Sequence, residues 1–429
     1  MKKVGIISLG CNKNQVDSEN ILGLLEHDKY QITNNPKDAD IIIINTCGFI
    51  EASKKESIET IFEMAKYKKK LVICGCLVER YYEQLKEEMP EVDLFIPIKD
   101  YYRFNELLKT IDDELEYDVK GLCDKYRTLT SCPITAYLRI GDGCDNCCSY
   151  CAIPLIRGRF HSKPLEEIVK EAKDLASRGI KEIVVLEQDT SKYGIDFLNK
   201  TTIVDLLKEL LKIESFEYIR LLYLYPDEIS DELIDLISKE KRLTPYFDIP
   251  IQHSEDKILK AMNRRGDKQF LLDLFNKIKS KVPNAVLRTT VMVGFPGESE
   301  EDVDNLIKFM NEIKFDHLGA FSFSKEEGTK AYNMKNQIKE EVKNKRLSRV
   351  LKAQQKISYQ KAKEHVGEVM NGMVVGFDND YALARSYWNA PDDVDGQIYV
   401  KTKRKHQIGD LITFTIEQAF VYDLFAIEH

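Results

Sequence analysis

Eight residues with four cysteines lie directly after the first strand predicted in the central part of the chain. They read Cys144-Asp145-Asn146-Cys147-Cys148-Ser149-Tyr150-Cys151. In the pattern C-x3-C-x2-C, the thiolates of Cys144, Cys148 and Cys151 can bind three corners of a cubane iron–sulfur cluster, which leaves the fourth iron open. The spacing therefore predicts a 4Fe–4S site in this loop, with Cys147 outside the ligand set.

A structural zinc ion is the alternative for the same eight residues. With Cys147 included the pattern becomes C-x2-C-C-x2-C, and four thiolates are a common zinc ligand set. The adjacent Cys147 and Cys148 would have difficulty facing one ion together, and zinc ribbons usually separate their cysteine pairs by a longer loop. The spacing favours the iron–sulfur cluster over zinc.

Alternating strands and helices extend on both sides of this loop, from Ile134 to about Gly328. The strand-like runs are Ala136–Ile140, Glu182–Glu187, Tyr218–Leu224, Tyr246–Ile249, Ala285–Val293 and His317–Phe323. Six β/α units predict an α/β fold with a complete or partial (β/α) barrel, whose chemistry lies at the carboxyl ends of the strands. A Lys/Glu/Gln-rich connecting helix over Lys335–Glu364 completes this predicted domain, 134–365.

The first 133 residues predict a separate α/β domain with a parallel sheet. Its strand-like runs are Val4–Leu9, Ile41–Asn45 and Leu71–Cys74. A cysteine follows each run, and these are Cys11, Cys47 and Cys76. Because the carboxyl ends of parallel strands share one edge of a sheet, the three thiols are expected to converge there.

Ordinary buried cysteines are the alternative for this dispersed trio, because free cysteine packs as a small hydrophobic residue. The other three cysteines, Cys74, Cys123 and Cys132, fit neither trio and are predicted to be structural. The chain begins Met1-Lys2-Lys3 and passes directly into a strand-like run. We therefore expect a cytoplasmic protein without a membrane span, in which thiols stay reduced and clustered cysteines indicate metal chemistry.

Residues 366–429 change to short β runs separated by Asp, Asn and Gly, which is typical of a small antiparallel β-barrel. The runs are Met370–Phe377, Gly396–Thr402, Leu411–Gln418 and Phe420–Ile427. This region has ten acidic and five basic side chains, and the whole chain has a net charge of −8. Such a balance disfavours nucleic acid and favours a basic protein partner, although acidity that only keeps the protein soluble is the alternative.

Segments from all three regions resemble the methylthiotransferases of the radical S-adenosylmethionine (radical SAM) superfamily. In the first region they are Ser8-Leu9-Gly10-Cys11-Asn12-Lys13-Asn14, Val16-Asp17-Ser18-Glu19, Asn45-Thr46-Cys47-Gly48-Phe49-Ile50 and Gly75-Cys76-Leu77. In the central region they are Gly143-Cys144 to Cys151-Ala152-Ile153-Pro154, and Arg157-Gly158. The small C-terminal barrel resembles a TRAM domain.

The resemblance implies two 4Fe–4S clusters and S-adenosylmethionine as cofactors. Cys144, Cys148 and Cys151 would hold the cluster whose open iron binds S-adenosylmethionine. The dispersed trio would hold an auxiliary cluster that presents the sulfur to be inserted. No side-chain acid or base is predicted to be catalytic, because an unactivated C–H is too weak an acid for side-chain chemistry near neutral pH.

Residues that end two barrel strands are candidates for binding S-adenosylmethionine. Glu187 and Gln188 end one strand, where the superfamily holds the methionine amino group, and a plain turn is the alternative. Gly294 lies in a stretch that resembles the strand beside the adenine, since glycine permits close approach; a simple β-to-α turn is the alternative. Arg220, on a third strand, is a further candidate contact to ribose, carboxylate or substrate.

The family divides by acceptor, and several segments resemble the branch that modifies an aspartate of small-subunit ribosomal protein twelve at its β-carbon. They are Ser8-Leu9-Gly10-Cys11-Asn12-Lys13-Asn14, Gln188-Asp189-Thr190, Tyr193-Gly194 with Asp196, and Ala390-Pro391-Asp392-Asp393-Val394-Asp395-Gly396. Asp392, Asp393 and Asp395 are candidates for recognising this basic substrate. The rival functions are a tRNA adenosine methylthiotransferase and a non-catalytic iron–sulfur redox sensor or binding protein. A flavodoxin or ferredoxin is the expected electron donor, and tRNA is not expected as a partner.

Overall fold

The computed structural model describes residues 2–28, 30–112, 126–130, 132–391 and 395–429. The chain forms two compact units, and neither is continuous in sequence. The first unit consists of Met1–Thr130, Gly141–His161 and Ser324–Tyr332. The second consists of Ser131–Ile140, Ser162–Phe323 and Asn333–His429. Both cysteine trios therefore belong to the first unit, while the domain boundaries near 133 and 365 stay predictions.

The first unit contains a parallel sheet with the strand order β2-β1-β3-β4-β5. Its strands are β1 (Lys3–Ser8), β2 (Gln31–Ile32), β3 (Ile41–Thr46), β4 (Lys70–Gly75) and β5 (Leu94–Ile96). Its helices are α1 (Asn12–His27), α2 (Glu51–Ala65), α3 (Cys76–Glu88) and α4 (Phe104–Leu108), with a 3-10 turn at Ile98–Arg103.

Strand β3 shows why this sheet is buried on both faces. Ile41 and Ile43 pack in one hydrophobic cluster with residues of α1 and α4. Ile42 and Ile44 pack in another cluster with residues of α2 and α3. A continuous run of β-branched residues is typical of a parallel strand covered by helices on both sides.

The loop 144–151, which contains the second trio and Cys147, lies between two very short strands that pair with each other, β7 (Gly141–Asp142) and β8 (His161–Ser162). Before them comes β6 (Thr135–Arg139), and between them lies the short helix α5 (Ile153–Ile156).

The second unit contains the six β/α strands expected from the sequence. After β6 these are β9 (Glu182–Leu186), β10 (Tyr218–Leu221), β11 (Tyr246–Asp248), β12 (Val286–Val293) and β13 (His317–Ser322). They form two parallel sheets, β10-β9-β6 and β11-β12-β13. Ile219 of β10 also forms an isolated parallel bridge with Leu243, which lies between β10 and β11 in the sequence. The partial barrel is therefore confirmed, with strands that end up to three residues before the predicted limits.

Helices connect the barrel strands. They are α6 (Leu165–Ser177), α7 (Ile203–Leu211), α8 (Asp231–Lys239), α9 (Asp256–Ala261), α10 (Lys268–Lys281) and α11 (Glu300–Ile313), followed by the long connecting helix α12 (Glu340–Glu364). Several of them begin directly after a side chain that accepts a hydrogen bond from an amide of the first turn. Before α11, for example, Ser299 and Asp302 form a reciprocal capping box, which satisfies amide groups that have no partner within the helix.

The C-terminal region closes into a five-stranded barrel with the order β14-β15-β16-β18-β17. The strands are β14 (Val369–Asp378), β15 (Tyr381–Arg385), β16 (Ile398–Lys401), β17 (Leu411–Ala419) and β18 (Leu424–Glu428). Two details differ from the sequence analysis. The strand β15 was not predicted, although Asn379, with φ +50°, and Asp380 form the tight turn before it. In addition, β16 and β18 pair in parallel within an otherwise antiparallel barrel.

Within the described parts of the chain, none of the helices combines the length and the apolar character needed to cross a membrane.

Candidate functional site

The dispersed trio lies at the carboxyl ends of β1, β3 and β4, which are neighbours in the sheet. Cys11 is the N-cap of α1, Cys47 follows β3, and Cys76 is the first residue of α3. The glycines beside them allow close packing of the three turns: a Cβ at Gly10 would lie 2.9 Å from the sulfur of Cys47, and one at Gly48 would lie 2.9 Å from the carbonyl carbon of Cys76. The structure therefore brings the three cysteines together at one sheet edge.

The three thiols also influence one another electrostatically. Burial raises the pKa of Cys47, and it raises the pKa of Cys76 to about 12. The side chain of Cys11 is exposed; desolvation by the surrounding protein would raise the pKa of its thiol, but Lys13, the amide of Asn14 and Arg157 together lower it below the ordinary value. The negative charge of Cys11 raises the pKa of both other thiols. A bound cationic centre reverses this balance, because coordination deprotonates a thiol outright.

The side chain of Asn14 connects the three turns of the dispersed trio. Its Nδ2 donates to the carbonyl of Leu9, at 2.8 Å, and to that of Thr46, at 3.1 Å. Its Oδ1 lies 3.5 Å from the sulfur of Cys76 and accepts a hydrogen bond from Arg157 at 2.9 Å. One buried amide thus contacts the residues before two of the cysteines and the third cysteine itself.

A buried carboxylate fixes the turn after Cys47 from the other side. Glu326, which is 1% exposed, accepts hydrogen bonds from Arg80 at 2.9 Å and from Lys54 at 3.0 Å. Arg80 also donates to the carbonyl of Gly48 at 2.6 Å. Since Glu326 belongs to the segment Ser324–Tyr332, the last piece of the first unit helps to hold one of its earliest turns.

The second trio lies in one loop that is held by main-chain contacts. The amide of Cys144 donates to the carbonyl of Gly158 at 3.2 Å, and that of Cys151 donates to the carbonyl of Cys148 at 3.1 Å. The amide of Ile153 donates to the sulfur of Cys151 at 3.4 Å. The loop shape excludes a side chain at Gly143, since a Cβ there would lie 2.1 Å from the carbonyl oxygen of Arg159.

The fourth cysteine of this loop differs from the other three. Cys147 is exposed and has φ +52°, whereas Cys144, Cys148 and Cys151 are half-buried. Among the described residues, no group of three or more His, Cys, Asp or Glu side chains is close enough to bind a single metal ion. A mononuclear zinc site needs its donors around one point, whereas the thiolates of a cubane each bind a different iron. Two sets of three thiols are donors of the kind that such clusters use.

The remaining cysteines have structural surroundings where they are described. Cys74 is fully buried in the sheet core, where burial raises its pKa to about 12. Cys132 is half-buried and lies 3.6 Å from the carbonyl oxygen of Val375. Cys123 lies outside the described residues.

The candidate residues for S-adenosylmethionine lie at carboxyl ends of barrel strands in the second unit. Glu187 directly follows β9 and is fully buried, and Gln188 beside it is half-buried. Gly294 directly follows β12 with φ +78°, and its amide donates to Glu298 at 2.6 Å. Glu298 also accepts from Arg346 at 2.7 Å, so the turn after β12 is fixed by a buried ion pair. These positions match the sequence-based expectation, and the cofactor role stays a prediction.

Arg220 is held by partners within the second unit, and its contact to ribose, carboxylate or substrate stays a prediction. Its side chain is fully buried, with Nε 3.1 Å from Glu182 and Nη2 donating to the carbonyl of Ser386 at 2.9 Å. Glu182 also pairs with Arg385 of β15 at 3.2 Å. The guanidinium therefore joins the partial barrel to the C-terminal barrel, because a buried charge requires such partners.

Asp395 is also held by partners within the second unit, and its role in substrate recognition stays a prediction. It is 3% exposed, accepts hydrogen bonds from the hydroxyl of Tyr246 and the amide of Ala390, and lies 3.3 Å from Nε of Arg288. Tyr246 begins β11, so this contact lies at the opposite end of the barrel strands from Glu187 and Gly294. Asp392 and Asp393 lie outside the described residues.

Family models match each part of the chain. Residues 3–97 match an uncharacterised protein family, UPF0004, residues 138–310 match the radical SAM superfamily, and residues 366–427 match the TRAM domain. Among solved structures, the radical S-adenosylmethionine methyltransferase TsrM from Kitasatospora setae is similar with a TM-score of 0.55 and 13% identity, over 75% of this chain and 73% of that one. This likeness concerns the fold.

Curated relatives match the chain over almost its full length. The ribosomal protein uS12 methylthiotransferase RimO of Thermoanaerobacter sp. (strain X514) is 45% identical over 99% of each chain. The enzyme of the same name from Clostridium perfringens (strain 13 / Type A) is 46% identical over 98% of this chain and 97% of its own. From this similarity and the two cysteine trios, the chain belongs to the RimO family of radical SAM methylthiotransferases.

Proposed function

We propose that the chain is an enzyme that inserts a methylthio group at the β-carbon of an aspartate in ribosomal protein uS12. The observation that carries the proposal is the presence of two cysteine trios in one compact unit of a chain that is 45% identical to a uS12 methylthiotransferase over its full length. Replacing hydrogen on an unactivated carbon is chemistry that a cofactor supplies, while the protein binds and orients the reactants.

The donor sets indicate which residues would hold the cofactors. Cys144, Cys148 and Cys151 would hold the 4Fe–4S cluster that binds S-adenosylmethionine, and the dispersed trio would hold the auxiliary 4Fe–4S cluster. When bound, these groups supply one-electron cleavage of S-adenosylmethionine and the sulfur to be transferred. The exposed position of Cys147 fits a residue outside the ligand set.

The chain's own residues would bind, orient and exclude water. The carboxylate of Glu187, buried at the end of β9, is suited to an ammonium group, because a desolvated carboxylate gains most from an opposite charge. Gln188 beside it offers an amide to the same ligand. At the end of β12, Gly294 remains a candidate for the backbone beside the adenine, and the aliphatic part of Lys343 packs where a Cβ of this residue would lie.

Charge supports a basic protein as the substrate. The C-terminal region, residues 366–429, has twice as many acidic as basic side chains, and an acidic surface attracts a basic partner. Asp392 and Asp393 remain candidates for this contact, whereas Asp395 is buried and pairs with Arg288. The same balance makes tRNA the less favourable acceptor. We further propose a cytoplasmic location and a flavodoxin or ferredoxin as electron donor, since both fit reduced thiols.

The decisive experiment compares uS12 and tRNA from a strain that lacks this gene, complemented with the wild-type gene or with the Cys148→Ala variant. We expect mass spectrometry to find the methylthio increment on an aspartate of uS12 only with the wild-type gene, and tRNA nucleosides to be the same in all strains. A change confined to tRNA would replace the proposal with the tRNA function. If the protein reconstituted with iron and sulfide did not bind S-adenosylmethionine in calorimetry, the redox-sensor function would be favoured.

A further inference from the structure

Arg157 is a buried cation that contacts residues of both trio regions. It directly follows α5, and its side chain is 2% exposed. Its Nη2 lies 2.7 Å from the carboxylate of Asp17 and donates to Asn14 at 2.9 Å, and its Nη1 lies 3.2 Å from Asp142. The same Nη2 lies 3.9 Å from the sulfur of Cys76. The guanidinium therefore lies between the loop of the second trio and the Cys76 corner of the dispersed trio.

The charge of Arg157 is permanent at this position. A guanidinium stays protonated throughout the physiological pH range, and the carboxylates of Asp17 and Asp142 pair with it. Burying a guanidinium is costly unless such partners are present. Two carboxylates and the amide of Asn14 fix it with one N–H group close to a sulfur.

Apolar packing reinforces this arrangement. Cys76 forms a small buried cluster with Ala152 and Ile156, the residues that flank and end α5. The short segment from Ala152 to Arg157 thus follows Cys151 directly in sequence and packs on Cys76 in space. A displacement of this segment would move the surroundings of both trios at once.

We propose that Arg157 is a positioning residue that fixes the Cys76 corner of the auxiliary cluster and raises the reduction potential of that cluster. The inference rests on the proposed function, since it requires iron at the dispersed trio. A nearby positive charge and an N–H directed at a ligand sulfur both stabilise the more negative, reduced form of an iron–sulfur cluster. The alternative is a salt bridge with Asp17 and Asp142 that only stabilises the fold.

The test uses the full-length chain with Cys144, Cys148 and Cys151 changed to alanine, so that only the dispersed trio binds iron after anaerobic reconstitution with iron and sulfide. Arg157→Met, Arg157→Lys and Arg127→Met are compared in this parent. Arg127 is the matched control, because it is also buried and pairs with Glu19 of the same helix α1 at 2.7 Å. Iron content and the midpoint potential from an electron paramagnetic resonance titration are measured.

We expect Arg157→Met to lower the midpoint potential and the iron content, Arg157→Lys to restore part of the potential, and Arg127→Met to leave the potential at the parent value. An unchanged potential in Arg157→Met, or an equal shift in Arg127→Met, would overturn the inference. If Arg157→Met does not fold, as judged by circular dichroism, Arg157→Gln is titrated instead with the same expected sign. A parent that binds no iron would overturn the proposed auxiliary site as well, which distinguishes the two failures.

Discussion

The two cysteine trios of the first unit are built in different ways. One lies within eight consecutive residues and is shaped by main-chain hydrogen bonds and a glycine. The other comes from three strand ends and is held by buried polar side chains, chiefly Asn14. A site within one loop therefore depends on the spacing of its cysteines in the sequence. A site built from several strands depends on the whole sheet and on side chains that are not ligands.

The largest expected effect separates the two trios by function. Cys148→Ala should abolish 5′-deoxyadenosine formation and keep about four irons at the other trio, because a cubane holds four. Cys76→Ala should keep the cleavage of S-adenosylmethionine and lose methylthio transfer. Iron analysis and chromatography of the reaction products measure both outcomes. Continued turnover of Cys148→Ala would show that the local trio is assigned wrongly.

Cys74→Ala is the matched control for these variants, because Cys74 is buried in β4 only two residues before Cys76. We expect full iron content at both trios and a loss of about 1 kcal/mol in the free energy of unfolding, typical of a small core truncation.

A substitution in the second unit tests whether instability alone affects the trios. Asp395→Asn should cost about 2 kcal/mol of unfolding free energy near neutral pH, because it removes the charge of one of the two buried carboxylates, Asp395 and Asp248, that pair with Arg288. Iron binding in the first unit should be unchanged at temperatures where the variant is folded. Loss of iron in the folded variant would contradict the expectation that iron binding depends on the residues around the two trios.

The same variant carries a pH dependence. Burial would raise the pKa of Asp395, but His317, Arg288 and hydrogen bonds from Tyr246 and Ala390 lower it below the ordinary value. A lowered pKa in the folded state means that the carboxylate stabilises the protein above the unfolded pKa of about 3.9, and that this stability is lost as the pH falls through the folded value. The difference between wild type and Asp395→Asn in urea unfolding should therefore narrow below about pH 4.

Asn14→Ala tests the side chain that connects the dispersed trio. It should cost about 2 kcal/mol of unfolding free energy, because the half-buried carbonyl of Leu9 and the buried carbonyl of Thr46 lose the amide of Asn14 as a donor. We expect iron to be lost from the dispersed trio while S-adenosylmethionine is still cleaved. Gln15→Ala, at the next position of α1, serves as the control and should keep both. Equal iron loss in the two variants would show that α1 acts only through its stability.

The smallest effect is expected at Cys147. Cys147→Asn should leave the iron content and activity unchanged, and it should keep stability within about 0.5 kcal/mol, since asparagine tolerates the positive φ of this position. A tetrathiolate zinc site would instead lose its metal. Metal analysis of the purified variant therefore tells whether three or four cysteines of this loop bind metal.

Sequence patterns predicted the fold where the signal is local. Continuous β-branched runs marked the parallel strands, and the rule that parallel strands end at one edge predicted the convergence of Cys11, Cys47 and Cys76. The tight turn at Asn379 is a local signal for β15, although the strand-like runs predicted from the sequence do not include this strand.

Long-range polar pairs had no comparable signal. Arg220 is a candidate because it lies on a barrel strand, and Asp395 because its segment resembles one branch of the family. Their partners, Ser386 and Arg288, belong to distant parts of the chain. The pairing of Arg157 with Asn14 and Asp17 likewise joins residues that no periodicity relates. Buried ion pairs of this kind become visible only when the tertiary structure is known.

The segment with Glu326 has a consequence for biosynthesis. Translation delivers Lys54 and Arg80 early, but the carboxylate that pairs with both arrives only after most of the second unit has been made. In the nascent chain, the turn after Cys47 therefore lacks this ion pair until the ribosome has synthesised the segment Ser324–Tyr332. A shortened gene product that ends near residue 133 would lack both the carboxylate of Glu326 and the second trio.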